Sequence, residues 1–208
     1  MTKIVFISDT HTLHDELDLP ESDILVHSGD FCNNGSELEC IAFAEWISGL
    51  NFKHIVVVAG NHDKHIEANP DFFDDYPEIT YLQDSSCIID GLKFYGSPWQ
   101  PIFFDWSFNL PRGSQLAEKW DLIENDTDVL ITHGPPRGIL DYVPYRGGEN
   151  VGCHDLLVKV LEIKPKVHVF GHIHYSYGIT KFMDTVFINT STCAENYSPT
   201  NKPIEIEL

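Results

Sequence analysis

Positive charge is scarce in this chain. Its 208 residues include 13 Lys and Arg against 32 Asp and Glu, a formal charge of −19 at pH 7 with histidine neutral. Proteins that hold long nucleic acids neutralise many phosphates with Lys and Arg. A chain of this sign repels such polymers, and it repels an acidic membrane leaflet for the same reason. Neither is expected as a partner. Paired cysteines are also missing. Cys32, Cys40, Cys87, Cys153 and Cys193 are odd in number, widely spaced and without a C-x-x-C pair, which argues against a disulfide framework or zinc ribbon. Free thiols fit a reducing cytoplasm. No apolar run approaches the ~20 residues a membrane-spanning helix requires, and no apolar leader precedes Lys3. Repeats, low-complexity tracts and linkers are absent, so a single domain over residues 1–208 is expected.

What is present is a series of short apolar runs ending in small or polar residues: Ile4–Ile7, Ile24–Val26, His54–Ala59, Asp128–Thr132 and Val167–Phe170. Continuous rather than alternating apolar character predicts parallel strands covered on both faces. Helical spacing separates them at Ser36–Leu50, Ser114–Ile123 and Cys153–Ile163. The first opens with Ser36 and Glu39 in capping-box register, and the last stops before Pro165. Two hairpins are expected, Cys87–Ile89 with Leu92–Tyr95 around Asp90-Gly91, and Ile179–Phe182 with Val186–Asn189. The Pro- and aromatic-rich stretch Gly96–Gly113 reads as an ordered loop. Alternating strands and helices predict a layered α/β fold.

Each clear strand is followed by metal-type donors. Asp9-Thr10-His11 follows the first, Gly29-Asp30 the second and Gly60-Asn61-His62-Asp63 the third. His133-Gly134 and Gly171-His172-Ile173-His174 follow the last two. Open α/β sheets bind ligands along their carboxyl edge, so distant segments converge on one crevice. Imidazole with carboxylate suits Mn, Fe, Zn or Co. Asp9, His11, Asp30, Asn61, His133, His172 and His174 exceed the needs of one ion. They suit two ions sharing one carboxylate, a recurring device for phosphoryl chemistry.

D-x-H, G-D, G-N-H, H-G and G-H-x-H in this order resemble the calcineurin-like metallophosphoesterase family, across Asp9 to His174. Gly29-Asp30-Phe31, Tyr95-Gly96-Ser97-Pro98-Trp99-Gln100-Pro101 and Thr132-His133-Gly134-Pro135-Pro136 are similar to its small metallophosphoesterase-domain phosphodiesterases. The resemblance implies an α/β/β/α sandwich with two divalent ions, Mn2+ first among the candidates. Asp9, His11 and His174 would hold one ion, Asn61, His133 and His172 the other, and Asp30 would bridge. It further implies in-line attack of a metal-bridging hydroxide on a small phosphodiester, a cyclic or linear nucleotide being one form. His62, paired with Asp63, would act as general acid. A phosphomonoesterase, phosphoprotein phosphatase or dinucleoside-polyphosphate phosphatase of the same fold is the alternative, as is a non-catalytic metal-binding scaffold. Two divalent ions would make the crevice cationic within an acidic protein.

Asn61, His62, Trp99, Asn109 and Arg112 are candidates for substrate contact, with Phe104, Trp106, Tyr175 and Tyr177 as aromatic surfaces. Arg112, Arg137 and Arg146 are candidate phosphate clamps by charge type. His27 reads as packed within a strand. His14, His54, His65, His154 and His168 read as surface or pre-strand residues, and Cys32 as a small buried thiol.

Overall fold

The computed structural model describes residues 1–208, the side chain of Arg146 excepted, so the clamp expected at Arg146 lies outside the described residues. The strands are β1 (Lys3–Ile7), β2 (Ile24–His27), β3 (His54–Val57), β4 (Ile79–Tyr81), β5 (Ser85–Ile89), β6 (Leu92–Ser97), β7 (Gln100–Pro101), β8 (Asn109–Leu110), β9 (Val129–Thr132), β10 (Tyr142–Val143), β11 (Glu149–Asn150), β12 (Val167–Phe170), β13 (Gly178–Phe182), β14 (Thr185–Asn189) and β15 (Ile204–Glu207). The helices are α1 (Glu37–Ser48), α2 (Lys64–Ala68), α3 (Ser114–Trp120) and α4 (His154–Ile163).

Two sheets carry the fold. One has the order β15-β1-β2-β3-β4 and the other β13-β14-β12-β9-β6-β5. Their central strands are parallel, and antiparallel neighbours close three of the four edges: β15 on β1, β13 on β14 and β5 on β6. Strand periodicity explains the layering. In β1, Ile4 and Phe6 enter the core between the sheets with Val26, Val56, Phe94, Ile131 and Val169. Val5 and Ile7, on the opposite face, pack with Leu25 and Val57 against Phe43, Ala44 and Ile47 of α1. On the second sheet Tyr95, Leu130, Phe170 and Phe187 meet Leu116 and Trp120 of α3 and Leu156 and Val160 of α4. Helix, sheet, sheet, helix is the α/β/β/α order expected. Among the described residues no helix is long and apolar enough to cross a membrane.

Local signals account for the element ends. The Ser36 hydroxyl accepts the Glu39 amide and the Glu39 carboxylate accepts the Ser36 amide, closing the capping box. Lys164 takes a left-handed conformation at φ +51 after α4, and Pro165 follows. Both hairpins form as expected. The Gly96–Gly113 stretch differs in one respect: β7 and β8 pair within it in parallel, two residues each. Strand β15 went unforeseen because only Ile204 and Ile206 carry its apolar pattern. Two histidines correct the surface reading: His14 and His168 are buried, His168 fully so within β12.

Candidate metal centre

The loops that leave β1 and β2 run side by side: the Asp9 amide donates to Gly29 O at 2.9 Å and the His11 amide to Asp30 O at 3.1 Å. From the second sheet, the Gly171 amide donates to His133 O at 2.9 Å. These bonds tie neighbouring strand ends together within each sheet, and the donor-bearing residues turn sharply there. Asp9, His11, Asp30 and His172 have φ of +50, +42, +57 and +67, a region uncommon for residues with a Cβ and concentrated at ligand clamps. Gly171 must lack a side chain, because a Cβ would collide with the Asp9 carboxylate and the Ser8 hydroxyl.

Within this edge the ligand atoms of Asp9, His11 and His174 lie within 4.8 Å of one another, and so do those of Asp30, His133 and His172. A third group of the same size joins His11, Asp30 and His62. Asn61 completes the second group through its Oδ1, 3.0 Å from His133 Nε2. All seven expected donors therefore converge, from both sheets, and His62 stands beside them.

The donor set fits divalent cations because three imidazoles are already oriented for it. Nδ1 of His11 faces Cys32 O at 3.2 Å, Nδ1 of His133 faces Ser28 O at 3.0 Å and Nδ1 of His174 faces Ala194 O at 3.2 Å. Donating Nδ1–H to a carbonyl leaves Nε2 as the inward nitrogen, the one that would give up its proton to a cation, an arrangement that tunes metal-binding histidines. The carboxylates are held as anions. Burial opposes charge on Asp9, yet the hydrogen bond and charge of His174 hold it well below the usual range. Burial likewise opposes charge on Asp30 and the neighbouring His133 outweighs it. Burial depresses His133 too, but Asp30 carries it up to about 9. His11 falls to about 4 and His172 to about 3, burial being the dominant cause in both.

His62 is differently held. Its Nδ1 lies 2.6 Å from Asn33 O, its amide donates to Asp30 Oδ1 at 2.7 Å, and its ring stacks on Trp106 with centroids 4.3 Å apart. The expected pairing with Asp63 is not made. The Asp63 carboxylate instead accepts the backbone amides of Gly60, Asp30 and Cys32 at 2.7, 2.9 and 2.9 Å, and it makes no side-chain cap on α2. Asp63 thus acts on the loops that bear Asp30 and Asn61. Burial, with Asp30 nearby, raises it to about 8.

A cavity of about 660 Å³ opens beside His172 and His174, walled by Phe103, Phe104, Tyr145, Tyr175 and Tyr197 with Glu149 and Glu195. Arg112 and Arg137 line it, but the Arg112 guanidinium is engaged by the carbonyls of Val151 and Gly152. Trp99 and Asn109 do not line it. Trp99 Nε1 donates to Asp84 Oδ2 at 2.8 Å with Lys119 over its ring, and Asn109 Nδ2 donates to Phe103 O at 3.2 Å. Both side chains brace the loop that bears them. Sequence reading missed Ser191, Glu195 and Tyr197, which follow the last motif and carry no motif of their own.

A layered α/β protein with carboxylates and histidines gathered where two sheets meet has the design of a metallophosphoesterase. The chain belongs to the calcineurin-like phosphoesterase family, whose model matches residues 2–176. Metallophosphoesterase domain-containing protein 1 of Homo sapiens is 42% identical, the match covering all of this chain and 71% of that protein. UPF0046 protein K07C11.7 of Caenorhabditis elegans is 40% identical over 97% of this chain and 73% of its own length. Among solved structures, TT1561 of Thermus thermophilus shares the fold, with a TM-score of 0.61 at 13% identity over 91% of this chain and 89% of that one.

Proposed function

We propose that this protein is a binuclear metal-dependent phosphodiesterase acting on small phosphodiesters. The observation that carries the reading is the position of Asp30, which belongs both to the group with His11 and to the group with His133 and His172. One carboxylate within reach of two donor clusters suits a pair of ions. Asp9, His11 and His174 would hold one ion and Asn61, His133 and His172 the other, with Mn2+ expected and Fe, Zn or Co compatible with the same donors. Divalent ions at such a centre supply Lewis acidity and a nucleophile at neutral pH.

His62 supplies the proton. Its Nδ1–H is committed to the Asn33 carbonyl, so Nε2 is the atom that exchanges a proton with the departing oxygen, a role that contributes ~10²–10⁴-fold. The cavity favours a diester over a monoester. Its walls include five Phe and Tyr rings and two glutamates, while the Arg112 guanidinium is occupied by backbone carbonyls. A phosphate with one charge and an organic arm on either side suits such walls better than a dianion does. Five free cysteines extend the reading to a reducing compartment such as the cytoplasm.

Bis(4-nitrophenyl) phosphate and 4-nitrophenyl phosphate, assayed side by side with Mn2+, test this reading. The diester should turn over faster, and Asp30→Asn should lose bound metal and activity together. Turnover that survives exhaustive chelation overturns the metal scheme, and faster monoester turnover overturns the diester preference.

A further inference from the structure

The family model stops at residue 176, yet the segment after β14 reaches back into the metal centre. Ser191 forms a bridge with Ser8 beside the end of β1. Its hydroxyl lies 3.0 Å from Asp9 Oδ2 and 2.9 Å from Asn189 Oδ1, the latter already accepting the Ser191 amide. Six residues on, Tyr197 packs its ring edgewise on two imidazoles at once. The centroid distances are 4.7 Å to His11 and 5.4 Å to His174, at interplanar angles of 63° and 65°. The loop that presents it also supplies the Ala194 carbonyl to His174 Nδ1 and closes through Tyr197 N to Ala194 O and Ala194 N to Ser198 O, both at 2.8 Å.

Two features separate this ring from ordinary packing. Tyr197 sits at φ +59, a conformation unfavourable for a bulky side chain and retained only where the surroundings fix it. It is also 47% exposed, so it is not a core residue. A residue held in a costly backbone conformation outside the core is retained for what it touches, and what it touches are two candidate ligands of one ion.

We infer that Tyr197 is a positioning residue of the metal centre: its ring holds the His11 and His174 imidazoles at the angle that directs both Nε2 atoms to a common ion, and it lines the 660 Å³ cavity together with His174. The inference rests on the reading of His11 and His174 as ligands. Outer residues that orient metal-binding histidines change affinity about 10- to 100-fold, which sets the scale of the effect.

Mn2+ titration of the full chain by calorimetry, with thermal melting of the same preparations, tests it. Tyr197→Phe keeps the ring and should bind Mn2+ like the wild type. Tyr197→Ala should weaken one of two binding events about tenfold or more. Tyr197→Gly should do the same while leaving the melting temperature unchanged or higher, because glycine tolerates φ +59 without penalty. A residue serving stability alone would lower the melting temperature and leave Mn2+ affinity intact, and that result overturns the inference. Equal weakening by Tyr197→Phe overturns the role given to the ring. His174→Ala is the control: if it binds Mn2+ normally, the ligand reading fails and the inference with it. If only His174→Ala weakens binding, the positioning role alone fails.

Discussion

The Nδ1–H of His62 donates to the Asn33 carbonyl at 2.6 Å. That bond fixes the tautomer and turns Nε2 toward the ligand cluster formed with His11 and Asp30. A histidine so held can move a proton without leaving its place, and it can be removed without uncovering an ion. His62→Asn should therefore retain its bound metal while the rate falls ~10²–10⁴-fold. Metal content measured on the assayed sample checks this. Loss of an ion in step with the rate would make His62 a ligand.

Trp106 stacks on that imidazole, and Lys64 lies over the same indole at 4.8 Å. Trp106→Ala frees the ring to rotate about its single tether. The expected outcome is a fall in kcat of about tenfold or more at unchanged metal content, since small misplacements of a reacting group are costly in rate. A change confined to KM would assign Trp106 to substrate binding.

Asp63 bears a different load. Its carboxylate satisfies three buried amides, and Asp63→Ala leaves all three without a partner. Each stranded group costs about 1–3 kcal/mol, so the variant should lose at least about 3 kcal/mol in urea unfolding. Metal binding should weaken with it, through the displaced loops of Asp30 and Asn61. A variant of wild-type stability would contradict the hydrogen-bond assignment.

Gly171→Ala introduces a methyl group where the Asp9 carboxylate and Ser8 hydroxyl already stand. Overpacking of this kind costs about 1–3 kcal/mol, and here the displaced atom is a candidate ligand. Mn2+ affinity should fall more than the melting temperature suggests. Unchanged Mn2+ binding would show that Asp9 is not needed at that position.

Buried His168 sets an acid limit. The Thr132 hydroxyl donates to Gly134 O at 2.7 Å, so His168 Nε2–H donates to Thr132 Oγ1 at 2.8 Å, while Nδ1 has no partner among the described residues. Burial depresses the imidazole to about 3 from 6.5. Its neutral form contributes stability that is complete above pH 6.5 and declines as pH falls toward 3, because the unfolded chain takes the proton first. The loss approaches about 1.4 kcal/mol per pH unit in that window. His168→Asn should flatten the acid limb of the stability–pH curve by that slope, and an unchanged limb would count against the assignment.

The central layers were legible because Ile4–Ile7 is apolar on both faces and Val167–Phe170 nearly so, His168 excepted, a pattern expected of covered parallel sheets. The donor cluster was legible for a related reason: Asp9, Asp30, Asn61, His133 and His172 each stand just past such a strand. The bracing of Trp99 was not legible because it depends on Asp84 and Lys119, partners distant in sequence that no local pattern announces. Asp63 was misread because adjacency to His62 in sequence does not decide where a carboxylate turns when three free amides surround it. Ser191 and Tyr197 act through backbone placement and ring contact, neither of which leaves a residue-type signature.

The pairing of β15 with β1, Lys3 opposite Glu207 and Ile4 opposite Ile206, has a consequence for how the molecule is made. The strand that leads into Asp9 is made some two hundred residues before the strand that seals its outer edge. At the ~5–20 residues per second of translation, β1 waits on the order of ten seconds or more for that neighbour. The hydroxyl that meets Asp9 comes from Ser191, 182 residues downstream. A nascent chain arrested before Ser191 would hold all seven candidate ligands and lack the segment that braces them, so mature ion affinity should arise only once Ser191 has been made.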